Sequence, residues 1–205
     1  MPDEGHVLRL FRFRPVGSEF DAFLRLEMLP DVRRLPGLLA VHAGRRDQES
    51  GGDRIVVTVW ESRAAMAATV GATLDQSHFY PERLDQTEDR TLETLDMQIA
   101  LPFATAEPPT LLRLFRGTVR ARELEDYVAE VRTGTLADAA AQHGPAALYL
   151  ATDPPDGFVT VSLWPSWEAI ALATGGDIGR PTMTKDSKRL VGIDVAHYEL
   201  LRDTG

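Results

Sequence analysis

The string Leu-Arg-Leu-Phe-Arg occurs twice, at residues 8–12 and 112–116, and the displacement of 104 also carries Trp60 onto Trp164, Ser62 onto Ser166, Ala65 onto Ala169 and Gly71 onto Gly175. Glu19 falls on Glu123 and Phe23 on Tyr127 under the same shift. A register that holds along most of each half copies a whole folding unit, not a short motif. The two halves must therefore share one architecture, and each must contain every element that the copied positions imply.

In the first half, residues 7–14 form a strand rich in Leu and Phe that ends at Pro15-Val16-Gly17. Ser18 is placed to cap a helix over 19–34, in which Phe20, Phe23, Leu24 and Met28 keep helical spacing. Pro36-Gly37 breaks the chain before a strand over 38–45, Gly51-Gly52 supplies a turn, and Arg-Ile-Val-Val-Thr-Val-Trp at 54–60 is a strand apolar on both faces. Ser62 caps a second helix running to about Gly71, the stretch 73–90 is polar and ambiguous, and 91–101 closes the unit as a strand. The second half repeats this order with strands over 111–117, 146–152, 157–164 and 191–201 and helices over 121–142 and 166–174. Its helix-to-strand link is longer and its hairpin, Asp153-Pro154-Pro155-Asp156-Gly157, is shorter, so the register survives.

The order β-α-β-β-α-β is a ferredoxin-like unit, with two helices on one face of a four-stranded sheet. The apolar third strands require the other face to be covered too. The expected class is α+β: two tandem ferredoxin-like units forming a single-chain pseudo-dimeric α/β barrel. The expected domains are residues 1–102, a linker at 103–109, and a more divergent unit at 110–205.

Composition narrows the function. A formal charge of -9 with scattered Lys and Arg argues against nucleic acid or an anionic membrane as partner. Cysteine is absent, which removes thiolate chemistry and leaves His, carboxylate, hydroxyl, Arg or a borrowed cofactor. The acidic opening and the lack of a long apolar run lead to an expected cytoplasmic location.

The sequence resembles the antibiotic-biosynthesis-monooxygenase-like families of the dimeric α/β barrel superfamily. The likeness is carried by Pro36-Gly37-Leu38-Leu39, by Val56-Val57-Thr58-Val59-Trp60-Glu61-Ser62 with Ala65, and by Ser77-His78-Phe79. In the second half Trp164, Ser166 and Ala169 remain. The resemblance implies one of three chemistries: cofactor-free oxidation of aromatic or polyketide substrates, haem binding with oxidative breakdown, or cyclisation and isomerisation. The Asn, Trp and His of haem-degrading members fall here on Leu10, Thr69 and His78, so only the His is kept.

His78 is the first candidate for catalysis, because an imidazole moves a proton near neutral pH or ligates iron if haem is bound. Its counterpart is Thr182, so a single site would belong to the first half. Tyr80 is the second candidate, as a proton or hydrogen-bond donor. Phe11, Arg12, Phe13, Trp60 and Thr69 are expected to contact substrate, although the copying of Trp60 as Trp164 also suits a core role. Strand alternation sets Leu8, Leu10 and Arg12 on one face and Arg9, Phe11 and Phe13 on the other. The buried arginines then need carboxylates such as Asp96 and Glu199, or an anionic ligand. His6, His42, His143 and His197 fit packed or exposed positions, and Gly-rich 174–182 reads as a flexible loop and lid.

The leading expectation is a monooxygenase-like oxidoreductase acting on a small aromatic or polyketide-type molecule without a dedicated organic cofactor. Haem bound through His78 is the alternative, and a non-enzymatic binding or interaction module is the third reading. Pairing of the fused chain into a homodimer is left open.

Overall fold

The computed structural model describes residues 5–47, 52–71, 80–103, 107–135, 144–181 and 189–202. The first repeat contributes strands β1 (Val7–Pro15), β2 (Leu38–Arg45), β3 (Arg54–Trp60) and β4 (Thr87–Pro102). The second contributes β5 (Leu111–Val119), β6 (Ala147–Asp153), β7 (Gly157–Trp164) and β8 (Leu190–Leu201). All eight follow the duplicated order expected from sequence. They are hydrogen-bonded in the closed order β1-β3-β2-β8-β5-β7-β6-β4, the barrel expected of two fused ferredoxin-like units.

In the first repeat β1 lies between β3 and β4, both antiparallel to it, and β2 lies outside β3. The β1–β4 register shifts between Arg12 and Arg14, near Asp89, whose φ is 48°. This irregularity lets β4 begin at Thr87, ahead of the expected start at residue 91.

The first helical run, 20–32, has three parts: α-helical Phe20–Phe23, a π turn Leu24–Met28, and α-helical Leu29–Val32. In the π turn Leu29 N donates to Leu24 O, five residues behind, and Pro30, which has no N–H to donate, follows directly; the second repeat makes a π turn over Val131–Thr135 without a proline. Ser18 does not cap this run. Glu19 is the N-cap with no side-chain cap bond, because its backbone is already helical at φ -80° and ψ -10°, where a cap position is normally extended.

The second helix of each repeat begins and ends on copied residues. Ser62 caps Arg63–Val70 by accepting from Ala65 N at 3.1 Å, and Ser166 caps Trp167–Thr174 by accepting from Ala169 N at 3.2 Å. Gly71 and Gly175 end these helices at φ 78° and 68°, values that favour glycine.

By contacts the chain divides into two compact units. Among described residues, one comprises 5–96 with 198–202 and the other 97–197. The strand tips are thus exchanged relative to the copied segments: the end of β8 pairs Leu201 with Ala43 and Glu199 with Arg45. Gly44 makes room for it, since a Cβ there would stand 2.7 Å from Tyr198 Cβ.

The core of the unit 5–96 gathers Phe13, Phe20, Phe23, Leu24, Met28, Leu29, Val32 and Val56 between the first helical run and the sheet. In 97–197 the matching core gathers Phe115, Leu124, Tyr127, Val128, Leu148 and Phe158. Trp60 and Trp164 are fully buried in separate clusters under the second helices.

Candidate functional site

The helix-covered face of the first repeat holds a cavity. Arg9, Phe11 and Phe13 point there from β1, and Val56 and Thr58 from β3, which stand opposite Phe11 and Arg9 in the register. The helical run adds Phe20, Phe23, Leu24 and Met28, and the segment after residue 79 adds Tyr80, Arg83, Leu84 and Thr87. The space is narrow, about 60 Å³ being open to the centre of a water-sized sphere. The π turn supplies both Leu24 and Met28 to this wall.

Five rings run along the wall in sequence. Phe11 stacks on Phe13 at 5.0 Å, Phe13 meets Phe20 at 5.2 Å, Phe20 meets Phe23 at 5.3 Å, and Phe23 meets Tyr80 edge-on at 4.9 Å. Such contacts prefer one another's edges and faces, and together they make a continuous aromatic wall. At the inner end lies Arg9, only 3% exposed, whose pKa burial lowers to about 10. It remains a cation at neutral pH.

At the rim, Tyr80 O–H donates to Asp31 Oδ2 at 2.8 Å and the Arg83 guanidinium sits 4.6 Å from the Phe23 ring centre. Arg83 Nη1 also donates to Gln86 Oε1 at 3.2 Å. These contacts latch the 3-10 turn Pro81–Gln86 to the first helical run.

Of the residues expected from sequence, Phe11, Phe13 and Tyr80 share this cavity, while Arg12, Trp60 and Thr69 are not among its lining residues. Arg12 projects to the opposite face of β1, where its Nη2 meets Glu93 Oε1 at 3.4 Å. Trp60 lies behind the cavity and donates from Nε1 to Thr58 Oγ1 at 2.9 Å. Thr69 sits on the second helix and donates to Pro36 O at 3.4 Å. His78, Thr182 and His143 lie outside the described residues. The acids expected to neutralise the β1 arginines serve others: Asp96 pairs with Arg63 at 2.8 Å and Glu199 with Arg45 at 3.0 Å.

Arg9, Thr58 and Arg83 are polar lining residues that were not among the expected site members, although an anionic ligand was one expectation for the β1 arginines. A signal was present for Arg9, which alternation sets beside Phe11 and Phe13. For Thr58 it was a hydroxyl in an apolar strand, two residues before a Trp and copied as Ser162.

The second repeat has the same frame with a different packing. Phe13 is replaced by Gly117, and a Cβ at that glycine would stand 2.2 Å from the Phe158 ring. Phe158 packs on Tyr127 at 4.3 Å and Phe115 at 5.7 Å, filling the space. Arg113, the counterpart of Arg9, donates from Nη2 to the carbonyls of Ile178 and Arg180. The Gly-rich loop read as a lid is therefore tied down by a buried guanidinium over its described part, up to residue 181.

Among the described residues no cluster of His, Asp and Glu could hold a metal ion, and no helix is long and apolar enough to cross a membrane.

Eight strands from two copied βαββαβ units, hydrogen-bonded in one closed order, define a tandem ferredoxin-like barrel. Solved structures with this fold include a candidate monooxygenase from Lactobacillus acidophilus, 13% identical, with TM-score 0.75 over 98% of each chain. An anthrone oxidase-like protein is 14% identical, with TM-score 0.61 over 98% of this chain and 93% of that one. A ferredoxin-fold protein of Listeria monocytogenes related to antibiotic biosynthesis monooxygenases is 10% identical, with TM-score 0.56 over 96% and 95%. These likenesses establish the fold. No family model and no curated protein matches the sequence.

Proposed function

We propose that the chain is a monooxygenase-type oxidoreductase that oxidises a small aromatic or polyketide-type molecule in the first-repeat cavity, without a dedicated organic cofactor. The observation that carries the reading is the run of five rings leading to a buried cation at Arg9. A flat substrate with an acidic C–H adjacent to its ring would lie along the rings. Loss of that proton leaves an enolate-type anion, which the Arg9 cation stabilises electrostatically in a site shielded from water. The anion passes an electron to oxygen. For a ring methylene the balance is CH2 plus O2 giving C=O plus H2O, so no other reductant enters.

His78 is assigned as the proton acceptor in this scheme, on the strength of the family resemblance. Tyr80 is assigned a lesser part. Its hydroxyl already donates to Asp31, so it takes up a proton only by passing its own to that carboxylate.

Haem is the other reading that the fold family suggests. Its ligand would be His78, which lies outside the described residues. No step is routed through it.

The test is oxygen uptake with anthrone and hydroquinone substrates, alongside Met28→Trp, which fills the cavity from the helix side. Uptake should fall by about tenfold or more in the variant, and haemin added to the unmutated protein should give no shifted Soret band. Substrate binding without oxygen uptake would leave a binding module in place of an enzyme. A Soret shift that is lost in His78→Ala would replace the scheme with haem ligation.

A further inference from the structure

Arg9 and Thr58 stand directly opposite each other on β1 and β3, and both are 3% exposed at the inner end of the cavity. Directly opposed residues have Cβ atoms about 5 Å apart, close enough for two side chains to serve one ligand atom. Thr58 Oγ1 accepts from the Trp60 indole N–H at 2.9 Å. An indole can only donate, so this bond occupies an acceptor position of the hydroxyl and turns the O–H proton elsewhere. The inner end of the cavity is thus built of donors: a guanidinium, and a hydroxyl aimed by an indole.

The second repeat carries the same trio. Arg113 is opposite Ser162, and Trp164 Nε1 donates to Ser162 Oγ at 2.8 Å. Both repeats therefore carry the trio, and the difference lies in what surrounds it. Phe158 fills the space around Gly117 in the second repeat, whereas a cavity lies beside Arg9 and Thr58 in the first.

We propose that Arg9 and Thr58 form an oxyanion site at the inner end of the first-repeat cavity, holding the ionised oxygen of a phenol or enol whose ring lies on Phe11, Phe13 and Phe23. Trp60 is a positioning residue in this site, acting through the orientation of the Thr58 hydroxyl. The inference rests on the reading of the cavity as an aromatic substrate site and deepens it: the substrate enters oxygen first and is bound as its anion. The anion is also the form that gives an electron to oxygen most readily, so recognition and activation fall on the same atoms.

The experiment uses 4-nitrophenol and its methyl ether, 4-nitroanisole, which cannot ionise. Bound 4-nitrophenol should absorb as the phenolate, with its titration midpoint lowered by about one pH unit or more relative to the free phenol. It should bind about tenfold or more tightly than the ether, the size expected for hydrogen bonds to a charged oxygen. Thr58→Val should weaken 4-nitrophenol by about tenfold and leave the ether unchanged, and Thr58→Ser should retain wild-type affinity. Equal binding of phenol and ether, with no shift in midpoint, would overturn the oxyanion site and leave the aromatic cavity standing. Failure of both compounds to bind would remove the cavity reading as well. The spectral titration needs only the unmutated protein, so the outcome does not depend on whether Thr58→Val folds.

Discussion

His42 shows how one side chain can set a pH dependence without belonging to a site. Burial first, and then the nearby Arg33 cation, lower its pKa to about 4, so the imidazole is neutral in the folded chain at physiological pH. In the unfolded chain it titrates near 6.5. Between these values the unfolded state binds a proton that the native state refuses, so stability falls as the pH drops from about 6.5 toward 4 and levels off below. The loss is at most about 3 kcal/mol. Urea unfolding at pH 7 and pH 5 should show it, and His42→Gln should flatten the difference; an unchanged slope in the variant would assign the effect to other groups. Arg9 and Arg113 make a related point. Burial lowers each to about 10, so both equivalent guanidinium groups remain cations at neutral pH.

The helices that begin at Ser62 and Ser166 owe their starts to one hydroxyl each. Ser62→Ala and Ser166→Ala should each cost about 1 kcal/mol, the usual value of a hydroxyl cap, with a fall in melting temperature of about 2–4 °C. Equal losses are expected because the cap bonds are alike, 3.1 and 3.2 Å. These starts were legible because a cap is a local event between residues three apart. The first helical run was less so. Its Ser18 start fails and its π turn was not foreseen, since a shift from four-residue to five-residue bonding leaves no mark in residue type: one repeat makes it before Pro30 and the other without a proline. The closing strands were found in the right places, but the exchange of their tips was not. Nothing local to residues 198–201 distinguishes a partner in one unit from a partner in the other.

For the molecule as a whole, the expected outcome of the duplication is one site per chain. Titration with 4-nitrophenol should saturate at one ligand per chain, and Phe158→Ala, which removes about 3–5 kcal/mol of packing from the second repeat, should leave binding in the first repeat intact. Saturation at two per chain in the unmutated protein would show that the second repeat also opens. The copied string, the copied Trp, Ser and Gly positions and the strand periodicity were enough to establish two βαββαβ units and their fold class, because each of those signals is carried by neighbours in the chain. The cavity was decided elsewhere. Phe13 is opposite Arg54 in one repeat, and Gly117 is opposite Phe158 in the other, so the large ring moves from one strand to its partner between the copies. Each of these residues is unremarkable along the sequence. Only the cross-strand register puts ring and glycine face to face, and that packing gives the two repeats different walls.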